Sequence, residues 1–131
     1  MLSKSQARLF FIFGTIFFSG IFLWLTVDTI QSVPQQTKSQ NISESVNRGK
    51  IIWENNNCMG CHTLFGEGAY YAPELTKAYD RRGEGYLKAV LMSKTPWSPR
   101  GRKMVAYGMR EQEAKDVVAF LKWAGEADLN G

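Results

Sequence analysis

At 131 residues the chain has room for one small domain and an appendage, but not for two independent cores. Hydrophobic residues make up 44% of it, and the formal net charge is +4, of which Lys4 and Arg8 supply two ahead of a dense apolar block. Beyond that block fourteen Lys and Arg face twelve Asp and Glu, a near balance that excludes a nucleic-acid binder and leaves room for a basic patch toward a protein partner.

Residues 1–8 read as a cytoplasmic tail, and residues 9–27, LFFIFGTIFFSGIFLWLTV, hold no charge. As a helix this run spans roughly 28 Å, close to the hydrocarbon thickness of a bilayer. With Lys4 and Arg8 on its amino side and Asp28 after it, the positive-inside tendency puts the amino terminus in the cytoplasm and the rest outside. Trp24 stands where an interfacial aromatic belongs, and Phe11, Phe18 and Phe22 face lipid or a partner helix. A cleaved signal peptide would have a shorter apolar region and a small-residue cleavage site, which Thr26-Val27-Asp28 does not offer. A retained transmembrane helix over 9–30 is expected. Pro34 should end it, because the residue before a proline is pushed away from helical angles. Residues 31–42 then form a polar linker, and 43–131 the soluble domain.

Ser43 can cap a helix running through Asn55. Gly49 and Trp53 share a face of it, where a glycine admits a second helix and the indole packs beside the crossing.

Cys58 and Cys61 are the only cysteines and His62 is the only histidine. Cys58-Met59-Gly60-Cys61-His62 is a C-x-x-C-H pattern, the signature of c-type haem attachment: two thiols on one turn reach the vinyl edges of a haem, and the adjacent imidazole meets the iron. A redox dithiol would sit in strand–helix alternation, which is missing. A zinc site would need a second ligand pair, also missing.

With one histidine, a second imidazole from this chain cannot complete the iron. Met59 lies in the motif and Met1 across the membrane, leaving Met92, Met104 and Met109. Met92 ends a helical stretch over 84–92 whose apolar stripe is Tyr86/Leu87 and Val90/Leu91. Met104 lies in 95–108, TPWSPRGRKMVAYG, too rich in proline and glycine for regular structure and free to drape a thioether over the haem. Met109 abuts the last helix and is the fallback ligand. Methionine–histidine ligation raises the potential and favours electron transfer over ligand binding.

The last helix, about 111–124, has an apolar stripe of Ala114, Val117, Val118, Leu121 and Ala124. Glu111 and Glu113 at its amino end and Lys122 near its carboxyl end suit the helix dipole. It should cross the first soluble helix with Gly49/Trp53 against Phe120/Leu121. No run alternates like a strand, so the fold class is all-α. Arg100, Arg102 and Lys103, or Arg81 and Arg82, can pair with haem propionates or an acidic docking partner. Glu67 reads as a turn residue, and Tyr70 and Tyr71 as haem-edge packing.

The glycine-plus-aromatic helix, C-x-x-C-H, proline loop, methionine loop and late aromatic helix resemble a class I cytochrome c. That resemblance implies that the Pro73 carbonyl accepts a hydrogen bond from His62 Nδ1. The segments WENNNC before the motif, CHTLFGEGAYYAPEL from Cys61 and FLKW near the end are similar to the small cytochrome c subunits of bacterial nitric oxide reductases. The resemblance implies a monohaem subunit of the inner membrane with its haem domain in the periplasm. Such a subunit takes electrons from a soluble cytochrome c or cupredoxin. It passes them to a low-spin b-type haem in a large catalytic subunit, where a high-spin haem and non-haem iron reduce two NO to N2O. It further implies a calcium ion at the subunit junction, with backbone carbonyls of Gly68 and Tyr70 as ligands. The family's axial methionine aligns with Met104, although Val105 stands where proline is common. The alternatives are an anchored cytochrome of another respiratory oxidase, a free-standing carrier, and a tethered haem gas sensor. The 66–75 segment argues against the first two, and a methionine ligand against the third.

Overall fold

The computed structural model describes residues 3–98 and 101–127. The chain divides into two compact units, 1–36 and 37–131.

The first unit is one helix, α1, Lys4–Gln36. Its start is a reciprocal cap: Ser3 Oγ accepts from Gln6 N–H and Gln6 Oε1 accepts from Ser3 N–H. Among the described residues it is the helix long and apolar enough to cross a membrane, and it fits a single-pass anchor. Thr26, Thr29 and Ser32 return their hydroxyls to the carbonyls of Phe22, Leu25 and Asp28, so each of the three is satisfied within the helix. The helix runs through Pro34 and takes in 31–36, correcting the expectation that Pro34 ends it. The physical reason is position. In the last turn proline forfeits one hydrogen bond, to the carbonyl of the exposed Ile30, and few residues follow to be displaced by a kink.

The second unit is all-α apart from one two-residue hairpin. Helix α2, Glu44–Asn55, is capped by Ser43, whose hydroxyl accepts from Val46 N–H. A hairpin follows, β1 Thr63–Leu64 antiparallel to β2 Glu67–Gly68. Helix α3, Ala78–Met92, begins earlier than the 84–92 reading and is broken at Gly83, whose φ of 74° lies outside helical space. Helix α4, Glu111–Glu126, runs two residues beyond the expected end. Lys122 therefore lies outside the last turn and sits over the Tyr79 ring, while Lys77 Nζ reaches the Gly125 carbonyl and supplies the terminal cation instead. Glu113 accepts from the Arg110 N–H at the other end.

Helices α2 and α3 both pack on α4, and the stripe Ala114, Val117, Val118, Leu121 and Ala124 is wholly buried. Trp53 meets Phe120 at 5.9 Å between ring centres, as the expected crossing requires, and Gly49 lies against Asp116 and Phe120. Sequence periodicity does not foresee the polar clasp at this crossing. Buried Asp116 accepts from Arg48 Nε at 2.8 Å, Arg48 Nη2 at 3.0 Å, Ser45 Oγ at 2.6 Å and Gln112 Nε2 at 3.1 Å.

The Arg48 guanidinium, seconded by Ser45 and Gln112, holds the Asp116 carboxyl below the usual carboxylate range despite its burial. A folded value below the unfolded one, about 3.9, means that this stabilisation is present above that pH and is lost as the pH falls through the folded value. Asp116→Asn should cost about 1–3 kcal/mol at pH 7 and flatten the acid limb of stability against pH. Thermal unfolding in detergent at a series of pH values checks this; an acid limb as steep as in the parent would refute it.

Candidate metal centre

Helix α2 ends in three asparagines, and each of the last two has a task. Asn56 returns its side-chain amide to the Ile52 carbonyl, 2.8 Å, and Asn57 takes the left-handed conformation, φ 49° and ψ 43°, which its residue type tolerates. The reversal starts a 3₁₀ turn over Cys58–Gly60 in which Cys61 N–H and His62 N–H both donate to the Cys58 carbonyl, at 3.2 and 3.0 Å. The five residues of C-x-x-C-H thus close into one turn, with Cys58 buried, Cys61 exposed and both thiols free.

The chain then folds back along the motif. Ala69 N–H donates to Met59 O, Ala72 N–H to Cys61 O and Leu75 N–H to Thr63 O. Gly68 makes this return possible: a Cβ there would lie 2.3 Å from the His62 carbonyl oxygen. Phe65, at the hairpin tip, holds a left-handed φ of 54° that its bulk disfavours; its N–H donates to Thr76 Oγ1 at 2.7 Å and its ring abuts Trp123. Pro73 arrives beside the imidazole, with 2.7 Å between its carbonyl oxygen and His62 Nδ1. A carbonyl only accepts, so Nδ1 carries the proton and Nε2 keeps a free lone pair. The bond matches the one implied by the resemblance.

Burial pushes the Cys58 thiol up to about 11, only partly offset by a hydrogen bond with Tyr107. A redox dithiol needs the opposite shift, toward thiolate. A zinc site needs a fourth donor, and among the described residues no cluster of His, Cys, Asp or Glu supplies one. Two free thiols and an oriented imidazole on one turn fit covalent haem. Trp53, its ring 6.5 Å from His62, adds a buried indole N–H with no acceptor, ready for a group that brings one.

The methionines separate. Met92, at the end of α3, is exposed. Met109 is buried in the core, its N–H donating to Leu91 O. Met104 is half-buried against the core, in an extended pairing with Trp97 through hydrogen bonds of 2.8 and 3.0 Å. Of the cations, Arg81 pairs with Glu74, Arg82 lies over Tyr86 and Arg102 over Tyr71, whereas Lys103 is exposed; Arg100 lies outside the described residues. Glu67 is exposed on β2, and Tyr70, 81% exposed, projects from the surface. Sequence reading missed Tyr107, whose hydroxyl donates to Asn56 O at 3.4 Å and reaches Cys58; nothing periodic marks it.

A family model for cytochrome c matches residues 46–125, the segment that carries every contact above. The cytochrome c subunit of the nitric oxide reductase of Stutzerimonas stutzeri is 41% identical, over 98% of this chain and 91% of its own length. The chain belongs to the family of nitric oxide reductase cytochrome c subunits. Its likeness to the corresponding subunits of Halomonas halodenitrificans and Paracoccus denitrificans is 36% each, over 97% and 95% of this chain and 91% and 89% of theirs. The family is the electron-transfer subunit of an oxidoreductase complex, and as a cytochrome c it holds its haem covalently. The apolar helix ahead of the matched segment accords with the near full-length match to these relatives, which takes in the anchor as well as the haem domain.

Proposed function

We propose that this chain is the electron-input subunit of a nitric oxide reductase, anchored in the bacterial inner membrane with residues 43–131 in the periplasm. Cys58 and Cys61 hold haem c through thioethers, His62 Nε2 is the proximal ligand and Met104 the distal one. The observation that carries the reading is the His62 Nδ1–Pro73 carbonyl bond, which fixes the imidazole with its free nitrogen outward and raises its basicity. Bound haem c supplies one-electron redox chemistry. The chain's own residues set its terms: the helix crossing at Gly49 and Trp53 keeps water from the imidazole side, and a thioether opposite would raise the potential.

Electrons come from a soluble periplasmic cytochrome c or cupredoxin and leave for the low-spin b-type haem of the catalytic subunit, where non-haem iron shares in reducing two NO to N2O. None of that nitrogen–oxygen chemistry falls to this chain. Lys4 and Arg8 on the amino side of the apolar run support the orientation. A calcium ion at the junction would take the carbonyls of Gly68 and Tyr70; no cluster of acidic side chains among the described residues backs them, so its charged ligands would belong to another subunit.

Purification from the native membrane in mild detergent tests the assignment. The chain should retain haem after acid–acetone extraction and come with a subunit rich in b-type haem and non-haem iron. Recovery alone, or with a copper-containing oxidase, would overturn it.

A further inference from the structure

The segment 93–110 carries Lys94, Arg100, Arg102, Lys103 and Arg110 and no Asp or Glu, while acids slightly outnumber bases over the rest of 43–127. The positive charge of this domain is therefore concentrated on the loop that bears Met104. Arg110 is neutralised by Glu113 at 2.8 Å. Arg102 sits 5.5 Å from the centre of the Tyr71 ring and donates to the Tyr71 carbonyl, contacts that orient its charge without cancelling it. Lys94 and Lys103 are exposed and, among the described residues, take part in no ion pair.

The loop is folded so that these charges share a face. Its two arms are joined by Gly108 N–H to Ser93 O at 3.1 Å and by the Trp97–Met104 pair, and the Lys94 stem lies along Gly108. In extended backbone, alternate side chains point to opposite faces. The pairing that turns Met104 toward the core therefore turns Lys103 and Val105 outward, directly over it. Val105 is 62% exposed and Tyr71 48%, giving the cations a small apolar centre.

We propose that Lys94, Arg102 and Lys103, grouped around Val105 and Tyr71, form the docking surface for the soluble electron donor, and that the donor meets it with a carboxylate-rich face. This rests on the electron-input reading above. A permanent interface with a membrane subunit is large and apolar at its centre. Uncancelled cations around a small apolar patch suit a brief encounter steered by charge.

The test mixes the detergent-purified complex, its haem c reduced, with oxidised plastocyanin, an acidic cupredoxin used as the probe. Each productive encounter moves one electron from ferrous haem to the cupric ion. With the parent protein the second-order rate constant should fall steeply as ionic strength rises. Lys94→Glu should lower it about fivefold at low salt, and Lys94→Glu with Lys103→Glu by an order of magnitude or more, with a flatter salt dependence. NO turnover driven by tetramethylphenylenediamine, uncharged at neutral pH, should not change. Lys103 adjoins Met104, so Lys94→Glu, on the opposite arm, is the deciding variant. An unchanged rate and salt dependence in Lys94→Glu overturns the proposal. Loss of the catalytic subunit from the Lys94→Glu complex also overturns it, by assigning the face to that subunit. If the parent chain purifies without a catalytic subunit, the electron-input reading fails instead, and the docking rate remains measurable on the haem-loaded full chain.

Discussion

Gly49→Ala should destabilise the soluble domain by about 3 kcal/mol, at the upper end of overpacking costs. Helix propensity alone predicts the reverse sign, since alanine exceeds glycine in a helix interior by roughly 0.5–1 kcal/mol. The reversal comes from the crossing. A Cβ at Gly49 would lie 1.9 Å from the Asp116 carbonyl oxygen, 2.5 Å from its carbon and 2.9 Å from Phe120 Cβ. Two of those three atoms are helix backbone, which no rotamer change can move. To admit a methyl group, α2 and α4 would have to separate, pulling Trp53 from Phe120 and stretching the bonds of Ser45 and Arg48 to Asp116. Denaturant unfolding followed by tryptophan fluorescence measures the cost. A variant as stable as the parent would mean that the helices do not cross here.

Met104→Ala and Met109→Ala should fail in different ways. Met104→Ala should abolish the low-spin methionine–histidine spectrum, lower the reduction potential and let the reduced protein bind CO, while haem stays covalently attached. The basis is the placement of Met104 on an extended segment half-buried against the core, pinned to Trp97, with its side chain outside any helix. Met109 is 8% exposed and built into the core beside Leu91. Its truncation should cost about 2–5 kcal/mol of stability and leave the spectrum low-spin. Optical spectra with and without CO, beside thermal unfolding, separate the two. If Met109→Ala opens the iron and Met104→Ala does not, the ligand assignment passes to Met109.

Much of the architecture follows from local pattern. Ser43 and the spacing of Gly49 and Trp53 predict α2 with its observed bounds, because a cap and a face are properties of a few neighbouring residues. The stripe from Ala114 to Ala124 predicts the buried face of α4 for the same reason. Local rules also misled. The restriction that proline places on its neighbour is real, yet at Pro34 it acts in a last turn where one missing hydrogen bond changes little. At the start of α3 the glycines hid a helical piece, because Gly83 interrupts the periodicity where the backbone itself bends.

The sequence by itself determined the attachment chemistry, since two thiols and the sole imidazole within five residues can only share one turn. It likewise determined the apolar anchor and the helical periodicities. Tertiary structure alone decided that Asp116 is clasped by Ser45 and Arg48, that Tyr107 reaches Cys58, and that Trp97 turns Met104 inward and Lys103 outward. Each of these joins residues through the path of a loop or the crossing of two helices. Such a path is set by how the whole core packs, and no periodicity along the chain encodes it.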